Sequence, residues 1–151
     1  MLHRIKYLLV LVAFPAWAEY ENEVLCLAHN IYHEARSQPL AERIAISQVV
    51  LNRVESIKYP NSICEVIYQA KRKHNKIIKN KCQFSWYCDG KSDYPLNNKV
   101  WTESVRVAAI TMALRVDFTG GATHYHAVYV QPDWSSALDL TILIGSHRFY
   151  K

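Results

Sequence analysis

The chain has 151 residues, 50% hydrophobic and 21% charged, with only 4 Gly and 5 Pro. This composition excludes a disordered chain, a collagen-like fibre and a multi-span membrane protein, and the length allows one domain with a buried core. The 18 Lys and Arg against 13 Asp and Glu give a formal net charge of +5, which favours an anionic partner such as nucleic acid, a membrane surface or a cell-wall polymer.

The N-terminus reads as an export signal. Arg4 and Lys6, with no acid beside them, precede the apolar run Tyr7 to Phe14; Pro15 breaks the run, and Ala16-Trp17-Ala18 supplies a small-x-small pattern. The run is too short to cross a bilayer core of roughly 30 Å as a helix. The expected organisation is a signal peptide over residues 1–18 and one domain over 19–151. That domain would be secreted or periplasmic and monomeric, with no stable membrane span after cleavage. Cleavage after Ala18 removes Arg4 and Lys6 and lowers the net charge to +3. Cys26, Cys64, Cys82 and Cys88 all fall in the mature part. An even number in a small exported domain predicts two disulfides, and their order along the chain leaves all pairings open. There is no Cys-x-x-Cys, which disfavours structural zinc.

Glu23 to Arg36 reads as a helix with Val24, Leu27, Ala28, Ile31 and Ala35 on one face. Pro39 suits the first turn of a second helix running to about Val54, with Leu40, Ile44, Ser47, Leu51 and Val54 at helical spacing. Ser62-Ile63-Cys64-Glu65 fits a capping box opening a short helix to about Ala70. Lys71 to Lys81 carries six Lys or Arg and reads as a charged loop, either simply solvated or guiding an anionic polymer. Gln83-Phe84-Ser85-Trp86-Tyr87-Cys88-Asp89-Gly90 is a dense aromatic and polar cluster in the same loop. A long helix is expected over Lys99 to Arg115, ended by Asp117-Phe118-Thr119-Gly120-Gly121, with Val100, Trp101, Val105, Ala108 and Met112 marking its buried side. Strands are expected over Ala122 to Val130 and Leu140 to Ile144. The outline is α+β, mainly helical with a small β element near the C-terminus.

Two constellations could carry chemistry. Glu34 lies three residues after Ile31 and seven after Leu27, on or beside the buried face of the first helix. A carboxylate there loses hydration and its pKa rises, as a general acid requires. The competing reading is a structural ion pair with Arg36, Arg43 or Arg53. In Gly120-Gly121-Ala122-Thr123-His124-Tyr125-His126, a strand would place His124 and His126 on one face and Tyr125 on the other. Paired His could bind a metal, but no His-Glu-x-x-His helix accompanies them. The plainer reading is a groove lined by polar rings, with no metal or other cofactor.

The segments Cys26 to Arg36, Val49 to Val54, Tyr59 to Val66, Gln83 to Trp86, Cys88 to Gly90, Gly120 to His126 and Ile144 to Tyr150 follow one another as ordered motifs. Together they resemble the SleB-type cell-wall hydrolases, which include spore cortex-lytic enzymes and phage or envelope relatives. The likeness covers about residues 23 to 150. It implies an α+β fold like that of goose-type lysozyme and lytic transglycosylases. It also implies peptidoglycan as partner rather than nucleic acid, and cleavage between N-acetylmuramic acid and N-acetylglucosamine, by lytic transglycosylation or as a muramidase. The family's catalytic acid falls on Glu34 of Glu34-Ala35-Arg36, and the usual Gly after that motif is Ser37 here. The resemblance further implies a substrate groove lined by the motif residues Gln83, Phe84, Ser85, Trp86, Thr123, His124, Tyr125 and His126. Asp89 is added to that groove as the nearest second acid by motif, although Asp89-Gly90 also reads simply as a turn. The alternatives are a non-catalytic wall-binding module and a metal-dependent peptidoglycan amidase or peptidase.

Overall fold

The computed structural model describes residues 14–151. The expected signal peptide therefore lies mostly outside the described residues. Helix α1 (Phe14–Ala35) starts well before the expected Glu23 and runs through Ala16-Trp17-Ala18. Its expected face is the observed one: Val24, Leu27, Ala28, Ile31 and Ala35 are all buried. Residues 16–22 are exposed, so the packed part of α1 begins at about Glu23.

Helix α2 (Leu40–Glu55) begins directly after Pro39, whose fixed φ and missing N–H suit that boundary. The expected face of α2 needs correction. Leu40 is 59% exposed, and the buried residues are Glu42, Ala45, Ile46, Ser47, Gln48, Val49, Val50 and Arg53. The helix is enclosed on most sides, so polar side chains point inward wherever another segment supplies partners. Gln48 donates to Val116 O and accepts from Phe118 N at 2.9 Å. Asn52 donates to Thr119 Oγ1 at 3.1 Å and Ala122 O at 2.9 Å. These bonds tie α2 to the segment that enters the C-terminal sheet.

Helix α3 (Ile63–Ile67) is shorter than expected. Ser62 caps it by accepting from Glu65 N, and Glu23 Oε2 of α1 accepts from Ile63 N at 2.6 Å and Cys64 N at 3.3 Å. The Cys26–Cys64 disulfide joins the same two helices. Helix α4 (Asn98–Leu114) starts at Asn97, whose side chain accepts from Val100 N, and buries Ser104, Val107, Ala108 and Thr111. Trp101, Val105 and Met112 pack at its border. The main core gathers α1, α2, α3, α4 and the Phe84–Trp86 turn; a second, smaller cluster joins Ala35, Ala45, Ile46 and Val49 to Ala122 and to Phe149 near the C-terminus.

The basic segment is a second correction. It is an antiparallel hairpin rather than a loop, with β1 (Ala70–Lys73) paired to β2 (Lys76–Cys82). The two residues between the strands, His74 and Asn75, have φ of 50° and 62°, as a two-residue hairpin turn of the primed type demands. A 3-10 turn at Ser85–Cys88 follows, tied to β2 by the Cys82–Cys88 disulfide.

The C-terminal sheet has the order β3-β5-β4: β3 (His124–Ala127), β4 (Leu140–Ile144) and β5 (His147–Tyr150). Strand β3 is shorter than expected, and the central strand β5 was not anticipated. The β4–β5 turn rests on Glu42, which accepts from Ser146 N. Gly145 there has φ +56°, and any Cβ at that position would overlap the Glu42 carboxylate. Among the described residues, no helix is long and apolar enough to cross a membrane.

Candidate active site

The last turn of α1, the β3 strand and the Gln83–Ser85 segment converge on a cleft of about 300 Å³. Its lining residues are Glu34, Arg53, Cys82, Gln83, Phe84, Ser85, His124, Tyr125 and Trp134. Glu34 is the one carboxylate among them. A second cavity of about 190 Å³ lies between α1, α2 and α4. It is walled mainly by apolar groups such as Leu51, Val54, Ile63 and Met112, away from Glu34.

Glu34 sits partly buried at the foot of the cleft. Tyr125 reaches it from β3, its hydroxyl donating to Glu34 Oε2 at 3.0 Å. Strand alternation explains the approach: with His124 and His126 facing one way, Tyr125 faces the helices. Burial raises the Glu34 pKa above its ordinary value, and the Tyr125 hydrogen bond and the Arg53 charge pull against that rise. Burial also raises the Tyr125 phenol well above its ordinary range, helped by the neighbouring Glu34, so it stays a donor at neutral pH. The alternative of a structural ion pair does not describe Glu34. Among the described residues the ion pairs are Arg43–Glu103, Lys91–Asp89 and His147–Glu42.

Arg53 is the lining residue that sequence reading named only as a possible ion-pair partner. It is 4% exposed. Its Nε donates to Thr123 O at 2.8 Å, and its guanidinium lies 5.3 Å from the Tyr59 ring and 5.4 Å from the Phe84 ring. Nη1 is buried without a partner. Trp134, from the 3-10 turn Asp133–Ala137, was also missed; it lies 5.3 Å from the His124 ring and borders the cleft. Arg53 falls within the Val49 to Val54 motif, but that motif assigned it no role, and no local pattern marked Trp134. Only the fold brings them to Glu34.

Of the groove residues expected from the resemblance, Gln83, Phe84, Ser85, His124 and Tyr125 line the cleft beside Glu34. The others lie elsewhere. Trp86 is 8% exposed in the helical core, stacked on His33 at 4.5 Å with its Nε1 donating to Asn30. Asp89 turns to its own loop, accepting from Lys91 N at 2.8 Å. Thr123 contributes its carbonyl to Arg53 and its hydroxyl to His124 Nδ1 at 3.0 Å. His126 donates from Nδ1 to Ala127 O and accepts at Nε2 from the Tyr150 hydroxyl, both at 2.9 Å. With both ring nitrogens engaged in the sheet, His126 does not join His124 as a metal-ligand pair. Among the described residues no cluster of three His, Cys, Asp or Glu side chains is placed to hold a metal ion.

Comparison with known proteins gives the family and the fold. Residues 37–150 match the family described as Cell Wall Hydrolase. A spore cortex-lytic enzyme of Bacillus subtilis (strain 168) is 42% identical over 48 residues, covering 32% of this chain and 16% of that protein. One from Halalkalibacterium halodurans is 27% identical over 105 residues, covering 70% of this chain and 27% of that protein. The chain thus matches only a minor part of the length of these relatives. Among solved structures, the catalytic domain of the Bacillus cereus SleB protein superposes with a TM-score of 0.62 at 24% identity, over 87% of this chain and 91% of that one. The catalytic domain of the germination-specific lytic transglycosylase SleB from Bacillus anthracis gives a TM-score of 0.62 at 27% identity, over 86% and 94%. The expected α+β architecture is therefore the observed one.

Proposed function

The chain belongs to the cell wall hydrolase family, and on that premise we propose that it cleaves peptidoglycan glycan strands as a lytic transglycosylase with Glu34 as the general acid. The observation that carries this reading is a single carboxyl group, unpaired by any cation, held in a cleft by a phenol donor. Burial keeps Glu34 protonated to higher pH than an ordinary glutamate, which suits it to donate a proton.

In this reading Glu34 protonates the oxygen linking C1 of N-acetylmuramic acid to N-acetylglucosamine. The C1–O bond breaks and positive charge builds at C1. The 6-hydroxyl of the same muramic acid then attacks C1, and its proton returns to the Glu34 carboxylate. The product is a 1,6-anhydro ring and the acid is regenerated. Hydrolysis would need a second carboxylate at about 5 to 9.5 Å to act on C1 or on water. Asp89 is committed to its own loop and the cleft lining contains no other acid, which favours the intramolecular attack. Tyr125 orients Glu34 and steadies its charged form after proton transfer. Trp134 offers a ring face to the sugars, and Arg53 places positive charge at the cleft wall.

The reading extends to location. Residues 1–18 are removed on export and the enzyme acts in the cell envelope. The α1 contacts that matter for folding survive that cut, since Glu23 caps α3 and Cys26 forms the disulfide. Mass spectrometry of muropeptides released by residues 19–151 tests the reaction. Ends carrying 1,6-anhydro-N-acetylmuramic acid support it; reducing N-acetylmuramic acid ends would make the enzyme a muramidase.

A further inference from the structure

We infer that the β1–β2 hairpin binds the acidic stem peptides of peptidoglycan, so that strands still bearing peptides are preferred to bare glycan. This rests on the glycan-cleaving reading above and names a recognition surface beside that cleft.

Lys71, Arg72, Lys73, Lys76, Lys79 and Lys81 are all exposed on the hairpin. No Asp or Glu occurs between Glu65 and Asp89, and none of the six is in an ion pair among the described residues. Lys73 stands directly opposite Lys76 in the register, and like charges so placed destabilise a strand pair. The hairpin forms despite this, held at its base by Gln83 N donating to Gln69 O at 2.8 Å and by the Cys82–Cys88 disulfide. An anionic partner would relieve the repulsion.

Position identifies that partner. Cys82 ends β2 and, with Gln83, lines the cleft that contains Glu34. The hairpin therefore starts at the cleft wall. The seven residues of β2 extend roughly 20 Å at strand spacing. In peptidoglycan each muramic acid carries a short acidic peptide on its lactyl group. Four such residues reach about 14 Å when extended. A peptide attached to a sugar in the cleft therefore reaches the lysines nearest the hairpin base, Lys79 and Lys81, and ends within about 10 Å of the Lys73–Lys76 pair at the tip. Exposed charges act over only about 10 Å at 0.1 M salt, so attraction to this hairpin requires a partner held beside it. A peptide covalently tied to the bound strand meets that condition, whereas a separate phosphodiester polymer is not positioned by the cleft.

The test is cosedimentation of the 19–151 protein with sacculi bearing intact stem peptides and with strands stripped by an amidase. It is run at low and high NaCl, with muropeptide analysis of the same samples. The unmodified protein should bind peptide-bearing sacculi about tenfold more tightly at low salt, and the gap should close in high salt. The variant Lys71→Glu/Lys73→Glu/Lys76→Glu/Lys79→Glu should lose the preference yet bind stripped strands as before and release the same terminal product. The milder Lys→Gln set at these positions keeps the hairpin free of new charge and should lose most of the preference. Equal binding to both polymers, a preference surviving in both variants, or displacement by a soluble phosphodiester polymer but not by free stem peptides would overturn the inference. Binding is read without turnover. A clear preference with no glycan cut on either polymer would sink the glycan-cleaving reading and leave the hairpin's role standing.

Discussion

The Tyr125 hydroxyl donates to Glu34 at 3.0 Å across a sequence separation of 91 residues. This contact joins the helical half of the molecule to the sheet at the point where chemistry is proposed. Tyr125→Phe removes the donor and leaves the ring's packing. Loss of one hydrogen bond to an ionised group predicts a fall in kcat of about 10- to 100-fold. The bond also favours the ionised carboxylate. Without it the Glu34 pKa rises further, so the alkaline limb of the pH–rate profile should move to higher pH. A limb that stays put or moves down would remove Tyr125 from control of the acid.

Glu34→Gln should lower glycan cleavage by about a thousandfold, the scale of a positioned general acid. Its effect on stability should have the opposite sign. A carboxyl whose folded pKa lies above its unfolded value is fully tolerated below the unfolded pKa. It then costs stability increasingly as pH rises through the window up to the folded pKa. The Gln variant escapes that cost. Thermal unfolding should therefore show a higher Tm than the unmodified protein at neutral pH, and equal values in acid, where Glu34 is protonated. Equal melting at both pH values would mean that burial does not penalise the carboxylate.

The two disulfides should separate stability from activity. Cys26–Cys64 closes a loop with a sequence separation of 38, and Cys82–Cys88 one of 6. The chain-entropy relation gives about 4 and about 2 kcal/mol respectively. Cys26→Ser/Cys64→Ser should show the larger drop in denaturation midpoint. Cys82→Ser/Cys88→Ser should unfold nearer the parent but lose more activity, because Cys82 and its neighbours Gln83, Phe84 and Ser85 form one wall of the cleft. Chemical denaturation paired with a wall-lysis assay on both variants measures this.

Glu42 is 2% exposed and accepts from Ser146 N and from His147 Nδ1, the latter at 3.5 Å. Glu42→Ala leaves the part-buried Ser146 N without its acceptor and should cost about 1 to 3 kcal/mol in urea unfolding. Glu42→Gln keeps an acceptor oxygen and should cost less. Gly145→Ala should be as damaging as Glu42→Ala, since its Cβ would displace the same carboxylate and strain a backbone at φ +56°.

Local chemistry in the sequence determined much of this molecule. The apolar spacing of Val24, Leu27, Ala28, Ile31 and Ala35 sets the buried face of α1, and with it the position of Glu34 at the edge of that face. Pro39 and Ser62 start their helices because a missing N–H and a capping hydroxyl act within one turn. The strand period around Tyr125 sets it apart from its His neighbours. The ordered motifs carried the family. Tertiary structure alone decided which cysteines pair, that Tyr125 meets Glu34, and that Arg53 and Trp134 border the cleft while Trp86 and Asp89 do not. It also decided that α2 turns Gln48, Asn52 and Arg53 toward other segments instead of an apolar stripe. The physical reason is range. Caps, turns and periodicity act over a few residues, whereas the Cys26–Cys64 bridge spans 38 positions and the side-chain contacts of Arg53, Trp86 and Tyr125 depend on partners 56 to 91 positions away. The basic hairpin falls between the two. Its charges read as a loop, and only cross-strand bonds and a disulfide at its base reveal it as a folded arm beside the cleft.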